Sequence, residues 1–181
     1  GPDHLYGQPM AEFGFSPEAR ELVKKLAGDE RYANPYIVDK KPEIVAWHEN
    51  CLAMTDCIGV CIRATLSTYA ITPRMMRQLF EYGTGIAMSE AEFDKAAQRI
   101  INLERSFNIR EGADRTYDTL PWRIMHEELS GPNGEKMVVS PEELDKMLDF
   151  YYELRGWDNN GKPTVDTLNS LGLSVVTDGA V

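Results

Sequence analysis

The sequence predicts an all-α fold, a helical bundle of about five to seven helices with few short strands. The first observation behind this is a series of helix-start signals, in which a capping hydroxyl precedes a proline or an acidic first turn. These signals lie at 16–18, 72–73, 89–92 and 140–143. The second observation is that apolar residues recur behind the caps at helical spacing. The third is a set of glycines that can close a final turn, namely Gly28, Gly83, Gly112 and Gly156.

The first 61 residues are predicted to contain a helix, a long loop and the segment that holds the cysteines. The first helix should begin at Ser16-Pro17 and end at Gly28. A long loop is expected from Tyr32 to Pro42, because Asn34-Pro35 and a Lys-Lys-Pro run disfavour a continuous helix. The segment from His48 to Cys61 follows the loop, and a buried helix is one of the alternatives for it.

The second half opens its helices with two predicted capping boxes. Ser89 pairs with Glu92 in the first, and Ser140 pairs with Glu143 in the second. The apolar residues behind these boxes are predicted to face the core: Phe93, Ala97, Ile100 and Phe107, then Leu144, Met147, Leu148, Tyr151 and Tyr152. Strand signals are confined to short pieces, from Lys136 to Val139 and from Ser174 to Thr177.

Length and charge restrict the organisation and the partners. A chain of 181 residues is long enough for one well-filled core and short for two, so residues 1–181 are expected to form a single domain. Its 19 basic and 29 acidic residues give a net charge of −10. Such a charge repels phosphate backbones and anionic lipid, which argues against nucleic acid and membrane as partners. No apolar run is long enough to span a bilayer. Three cysteines are too few for a disulfide scaffold, so a cytoplasmic location is expected.

All three cysteines lie in one segment, His48 to Cys61, which reads HENCLAMTDCIGVC. A metal site, a redox pair and a buried helix are the alternatives for it. Neither cysteine spacing has the two-residue gap of zinc knuckles or thioredoxin-like motifs, so a self-contained metal site has little support. Most free cysteines are small buried hydrophobes. Gly59 lowers helix propensity by about 1 kcal/mol relative to Ala and indicates a break there.

A series of motifs resembles one family. The hexapeptide DCIGVC at 56–61 resembles the D-x-x-G-(L/V)-C motif of the tungsten-containing aldehyde ferredoxin oxidoreductases. The stretch NLERSFNIREG at 102–112 is similar to that family's N-L-x-R-x-F-N-x-R-E-G, and DTLP at 118–121 is similar to its D-x-L-P. The segment 147–164 resembles the family's closing helix and the turn after it. The resemblance runs from near residue 45 to Leu173, in the family's order.

The resemblance implies roles for the residues of the hexapeptide. Asp56 matches the family's pterin-binding aspartate, and a carboxylate can accept two hydrogen bonds from a pterin edge. Gly59 and Val60 would belong to the same cofactor-binding turn, where glycine lets the backbone approach closely. Cys61 matches the family's lone fourth ligand of a 4Fe–4S cluster, which requires thiolates. Without the resemblance, Asp56 would be interpreted as a helix cap or surface residue and Gly59 as an ordinary helix break.

The sequence departs from the family in one respect. The family's upstream C-x-x-C-x-x-x-C triplet is absent. One aspartate motif and one cluster cysteine cannot hold a tungsten bis-pterin and a cluster, so the chain is expected to be a carboxyl-terminal part of a longer enzyme and to carry no cofactor alone. Cys57 stands where the family is expected to have serine, and Cys51 has no assigned role.

The resemblance also implies an activity and partners. The whole enzyme would oxidise small-molecule aldehydes to carboxylic acids and pass electrons through the cluster to ferredoxin, and its amino-terminal domains would complete the site. Two alternatives stay open: a tungsten benzoyl-CoA reductase-type subunit, and a separated helical interaction module without catalysis.

Histidines and arginines supply the remaining candidates. His4 resembles the family's histidine near tungsten, where it would act as a catalytic proton shuttle. His48 and His126 have no partner at metal spacing and are expected to be exposed or satisfied within the core. Three arginines lie near acidic neighbours and are expected to form ion pairs, with an anion contact as the alternative: Arg105, Arg110 and Arg115.

Overall fold

The computed structural model describes residues 17–67 and 70–174, and these residues confirm the all-α prediction. Their α-helices are α1 (Pro17–Ala27), α2 (Lys41–Ile58), α3 (Pro73–Thr84), α4 (Glu90–Arg110), α5 (Trp122–His126), α6 (Pro141–Arg155) and α7 (Val165–Leu171). Short 3₁₀ helices lie at Glu30–Ala33 and Arg115–Tyr117, and a π-helical turn lies at Arg63–Ser67. Strands β1 (Leu129–Ser130) and β2 (Lys136–Met137) form an antiparallel hairpin.

Helix α2 is the centre of the domain. It packs against α4 and α6 along its length, and α1 and α3 contact it as well. The main buried cluster joins α2, the π turn, α3 and α4, and includes Met54, Leu66, Met76, Phe93 and Ala97. Because both halves of the chain pack on α2, the position of its carboxyl-terminal end is fixed by the whole core. None of the described helices is both long enough and apolar enough to cross a membrane.

Three of the four predicted helix-start signals are confirmed in detail, and Ser16, the cap of the first, lies outside the described residues. At the start of α4, the Ser89 side chain accepts a hydrogen bond from the Glu92 amide, while the Glu92 carboxylate accepts one from the Ser89 amide at 2.7 Å. Ser140 and Glu143 form the same reciprocal pair at the start of α6. Thr72 caps α3 through the Met75 amide. These caps satisfy amides that have no partner within the helix, so they fix where each helix begins.

The prediction that Gly83 ends a helix is wrong. Helix α3 continues to Thr84, and Gly85 ends it with a φ of 74°. The Thr84 hydroxyl donates to the Phe80 carbonyl at 2.7 Å, which supports the extra turn. Gly83 lies within the helix at ordinary negative φ, so its glycine character has no role in the ending.

The predicted core face of α4 is wrong at Phe107. Phe93 and Ala97 are buried, but the Phe107 side chain is 48% exposed. Ile101 is buried in the continuation of the helix instead. The outer part of the Phe107 ring is covered by the Arg110 guanidinium, 4.7 Å from the ring centroid. Helical spacing alone does not show where α4 extends beyond its partners, and this explains the error.

The loop and strand predictions need shorter bounds. A 3₁₀ helix occupies Glu30–Ala33, and α2 already begins at Lys41 after Lys40, which has a φ of 66°. The predicted strand from Lys136 to Val139 ends at Met137, since only two residue pairs form the hairpin ladder. Ser174 lies in no strand, and residues 175–177 of the second predicted strand lie outside the described residues.

Candidate functional site

The end of α2 presents the candidate hexapeptide. Gly59 adopts a φ of 70°, and its amide donates to the Asp56 carbonyl at 3.2 Å. The Val60 amide donates to the Thr55 carbonyl at 3.1 Å. These two bonds form a Schellman ending, which requires a residue that tolerates the left-handed region. The predicted helix break at Gly59 is therefore confirmed, and the turn carries the chain from Asp56 towards Cys61.

The side chains of this turn face outward. Asp56 and Cys61 are exposed, Gly59 is exposed, and Val60 is half-buried. Among the described residues, nothing forms a hydrogen bond or an ion pair with the Asp56 carboxylate or the Cys61 thiol. No atom lies within 4 Å of a Cβ built on Gly59. A carboxylate, a thiol and an open stretch of backbone are thus available to a group outside the described chain.

Two buried threonines flank the exposed turn. The Thr55 hydroxyl donates to the Cys51 carbonyl at 2.7 Å, and its oxygen lies 3.2 Å from the Thr65 hydroxyl oxygen. Both threonines are essentially inaccessible to solvent, with 0% and 2% exposure. Sequence reasoning missed this pair, because nothing in a threonine ten positions from another indicates that their hydroxyls meet. The sequence likewise gave no sign of the π-helical turn that carries Thr65.

The other two cysteines differ from Cys61 in their surroundings. Cys51 is buried in the core, and burial raises the pKa of its thiol far above the ordinary value. Cys57 is exposed at the end of α2. The pKa of its thiol is raised, mainly by partial desolvation and also by the negative charges of Asp56 and Glu104. Metal binding and nucleophilic attack require the thiolate. The raised pKa disfavours the thiolate form of both cysteines.

The family-like motifs that follow the hexapeptide form an internal network. Arg105 binds the Asp118 carboxylate through both terminal nitrogens and donates from Nε to the Gly161 carbonyl at 2.7 Å. Its guanidinium also lies 4.9 Å from the Trp157 ring centroid. Trp157 donates from its indole nitrogen to the buried Asn102 side chain at 2.8 Å. These motif residues bind one another and thereby fix α4 to the turn after α6.

The ion-pair interpretation of the arginines is confirmed. Besides the pair of Arg105 with Asp118, Arg115 contacts the carboxylates of Asp145 and Asp149 at 3.1 and 2.7 Å. Arg110 lies 3.1 Å from Glu111. A further pair was not anticipated from the sequence: Arg155, 7% exposed, binds Glu49 and joins α6 to α2.

The histidines divide as the sequence suggested. His48 is fully buried, and its Nδ1 lies 2.7 Å from the Ile44 carbonyl, to which it donates. Burial lowers the pKa of His48, so the ring is neutral. His126 is exposed and stacks on Trp122 with ring centroids 4.8 Å apart. His4 lies outside the described residues.

Two cavities of the domain have linings that do not include the hexapeptide. One, of about 470 Å³, is lined by residues of α1 to α4 and of the π turn, including Trp47, Met54 and Thr65. The other, of about 410 Å³, lies beside Arg105 and Trp157. Neither is lined by Asp56, Gly59, Val60 or Cys61. In residues 17–67 and 70–174, no cluster of three or more His, Cys, Asp or Glu side chains could hold a metal ion.

Comparison with known proteins assigns the family. The sequence model described as "Aldehyde ferredoxin oxidoreductase, domains 2 & 3" matches residues 1–173. A mostly helical domain with this match is a carboxyl-terminal domain of a tungsten oxidoreductase family. The chain belongs to the aldehyde ferredoxin oxidoreductase family.

Individual relatives agree with this assignment. The chain is 33% identical over 139 residues to the tungsten-containing aldehyde ferredoxin oxidoreductase of Pyrococcus abyssi (strain GE5 / Orsay). The aligned region covers 76% of this chain and 22% of that protein. The enzyme of the same name from Pyrococcus furiosus is 31% identical over 140 residues, with the same shares. The chain thus spans about a fifth of the length of these relatives.

A solved structure is also similar. It is the active-site complex BamBC of benzoyl-coenzyme A reductase with 1,5-dienoyl-CoA. The TM-score is 0.66 at 28% identity, and the similarity covers 90% of this chain and 26% of that chain.

Proposed function

We propose that the chain forms one wall of a tungsten–pterin site in a longer oxidoreductase, with Asp56 and Cys61 as its contacts to the cofactors. The observation that carries the proposal is that both side chains are exposed at one helix end and unpaired among the described residues. A buried family motif would have argued against such contacts. The amino-terminal domains of the longer enzyme would supply the remaining ligands as partners.

The chemistry of the donor set fits this assignment. The Asp56 carboxylate would accept hydrogen bonds from the amino group and ring nitrogen of a pterin. Gly59 and Val60 would let the backbone approach, since no side chain fills the space at Gly59. Cys61 would complete the four thiolates of a 4Fe–4S cluster whose other three ligands lie outside this chain.

The proposed reaction is the oxidation of an aldehyde with water to a carboxylic acid, with two electrons leaving to ferredoxin. When bound, the tungsten–pterin group supplies the two-electron redox chemistry, and the cluster carries the electrons outward. The residues of this chain bind and orient those groups. His4 is proposed to hold or move a proton near the reacting aldehyde.

A second candidate is a benzoyl-CoA reductase-type subunit. Its support is the solved active-site complex, whose fold is similar over 90% of this chain. The same Asp56 and Cys61 contacts would then serve reduction of an aromatic thioester. The two candidates differ in substrate and not in the cofactor-binding role of the chain.

The test uses the enzyme assembled with its amino-terminal domains. Asp56→Ala removes a charge-assisted contact worth about 1.5–3 kcal/mol per hydrogen bond, so tungsten and pterin content should fall while iron is largely kept. Asp145→Ala, which removes an exposed carboxylate of α6 that does not belong to the hexapeptide, is the control. Dye-coupled oxidation of aldehydes and reduction of benzoyl-CoA, assayed in parallel, separate the two candidates. Full tungsten content in Asp56→Ala would contradict the proposed role.

A further inference from the structure

The turn that carries Asp56 and Cys61 is closed at its base by one buried polar contact. Thr55 lies at the end of α2 and Thr65 in the π-helical turn, and their hydroxyl oxygens are 3.2 Å apart. The pair joins the two segments between which the exposed residues lie. Both side chains are surrounded by core residues, since Leu66 and Met76 beside them are also buried.

Additional contacts hold this base against the core. The Met76 sulfur lies 3.5 Å from the Thr55 hydroxyl, which connects the base to α3. The Thr65 hydroxyl lies 3.3 Å from the Ile62 carbonyl, within the segment that follows Cys61. The Ala64 amide donates to the Cys61 carbonyl at 2.9 Å. The backbone on both sides of the exposed turn is therefore fixed, although the turn's functional side chains are open.

We propose that Thr55 and Thr65 are positioning residues that set the relative placement of the Asp56 carboxylate and the Cys61 thiol. The pair is buried, so it would act through the turn and not by direct contact with a cofactor. The effect on the cofactors rests on the proposed function. The effect on the conformation of the turn concerns this chain alone. The turn would then hold Asp56, the proposed pterin contact, and Cys61, the proposed cluster ligand, at a constant separation and orientation.

The choice of hydroxyls at these positions supports a positioning role. Two valines would have the same β-branched shape and would avoid burying polar hydroxyls. Burying a pair of hydroxyls costs desolvation free energy. Their hydrogen bond is directional, however, and so it specifies the relative position of the end of α2 and the π-helical turn. Apolar packing would stabilise the core but would fix the relative position of these two segments less well.

The first test measures local opening in the 181-residue chain. The Gly59 and Val60 amides are bonded within the turn, so they exchange with solvent when it opens. Thr55→Val and Thr65→Val should each raise the exchange rate of these two amides about tenfold, because each loses one hydrogen bond. Amides in the core of α4 serve as the reference. Thr55→Ser should restore the slower rate. The double Val variant should accelerate exchange by less than the product of the two single effects, because each single variant already removes the bond between the two hydroxyls.

Ser106→Ala is the matched control. Its hydroxyl donates to the Asn102 carbonyl at 2.7 Å, so the substitution also removes a partly buried hydroxyl from a helix, but one that bonds within α4 and not to Thr55 or Thr65. It should leave exchange at Gly59 and Val60 unchanged. Unchanged exchange in both Val variants would overturn the proposal. So would a uniform acceleration of every core amide, which would indicate general destabilisation only.

A second measurement separates this inference from the proposed function. In the assembled enzyme, Thr55→Val should alter the electron paramagnetic resonance spectrum of the reduced cluster, and Thr55→Ser should restore it. An unaltered spectrum beside faster local exchange would overturn the link between positioning and cofactor. Retention of all metal by Cys61→Ser would instead refute the proposed function, and the exchange results for Thr55 and Thr65 would still stand.

Discussion

At the scale of single residues, environment separates side chains of the same type. Cys51, Cys57 and Cys61 lie within eleven positions, but burial and nearby carboxylates raise the thiol pKa of the first two. The sequence predicted their clustering and could not predict these surroundings, because each depends on helices brought in from elsewhere, such as α4 with Glu104. Only Cys61 keeps the role of proposed ligand.

His48 should make the stability of the domain depend on pH. Burial lowers its pKa below the ordinary 6.5, so the unfolded chain binds a proton that the folded chain does not. The free energy of unfolding should therefore be insensitive to His48 above about pH 7. It should fall as the pH drops below 6.5 towards the lowered pKa of the folded state. Denaturant unfolding at several pH values measures this.

Two glutamine variants test the assignment to His48. His48→Gln should lack this part of the pH dependence, whatever its cost at neutral pH, whereas His126→Gln should keep it because His126 is exposed. Identical loss of stability between pH 7 and 5 in the His48→Gln variant and the parent chain would contradict the account.

At the scale of elements, capping chemistry was the most informative sequence signal. Ser89 with Glu92 and Ser140 with Glu143 form the predicted boxes because both partners are local in sequence. Helix ends were harder to predict. Gly83 and Gly85 are both plausible endings, and only Gly85 adopts the left-handed φ that ends α3.

Two glycine substitutions should have opposite effects on stability. Gly59→Ala places a side chain at φ 70° and should lower the free energy of unfolding by about 1–2 kcal/mol, although no atom would clash with the new methyl group. Gly83→Ala, inside α3 and also in open space, should raise it by about 0.5–1 kcal/mol. Chemical denaturation of the two variants measures both. Stabilisation by Gly59→Ala would contradict the left-handed ending of α2.

At the scale of the whole molecule, the family motifs have two physical roles. Asn102, Arg105, Asp118 and Trp157 bind one another inside the domain, whereas the hexapeptide at 56–61 presents its polar groups outward. A resemblance in sequence cannot separate these roles, because either would preserve the residues. The three-dimensional contacts do separate them, and they leave the hexapeptide as the candidate site.

The purified 181-residue chain should be folded and helical, and should hold no stoichiometric iron or tungsten. The buried cluster around α2 supplies a core, but one thiolate cannot retain a cluster. Circular dichroism and elemental analysis of the same sample check both statements. Stoichiometric metal in this sample would refute the view that the site is completed by other domains.

The most direct test of the central claim is the iron content of two cysteine variants in the assembled enzyme. Cys61→Ser replaces the proposed thiolate ligand by a hydroxyl, a much poorer ligand for iron, so cluster iron should fall strongly while tungsten is less affected. Cys57→Ser removes the neighbouring exposed thiol, whose raised pKa disfavours ligation, and should keep full iron content. Equal and complete iron retention in both variants would show that Cys61 is no ligand and that the end of α2 is only an exposed helix ending.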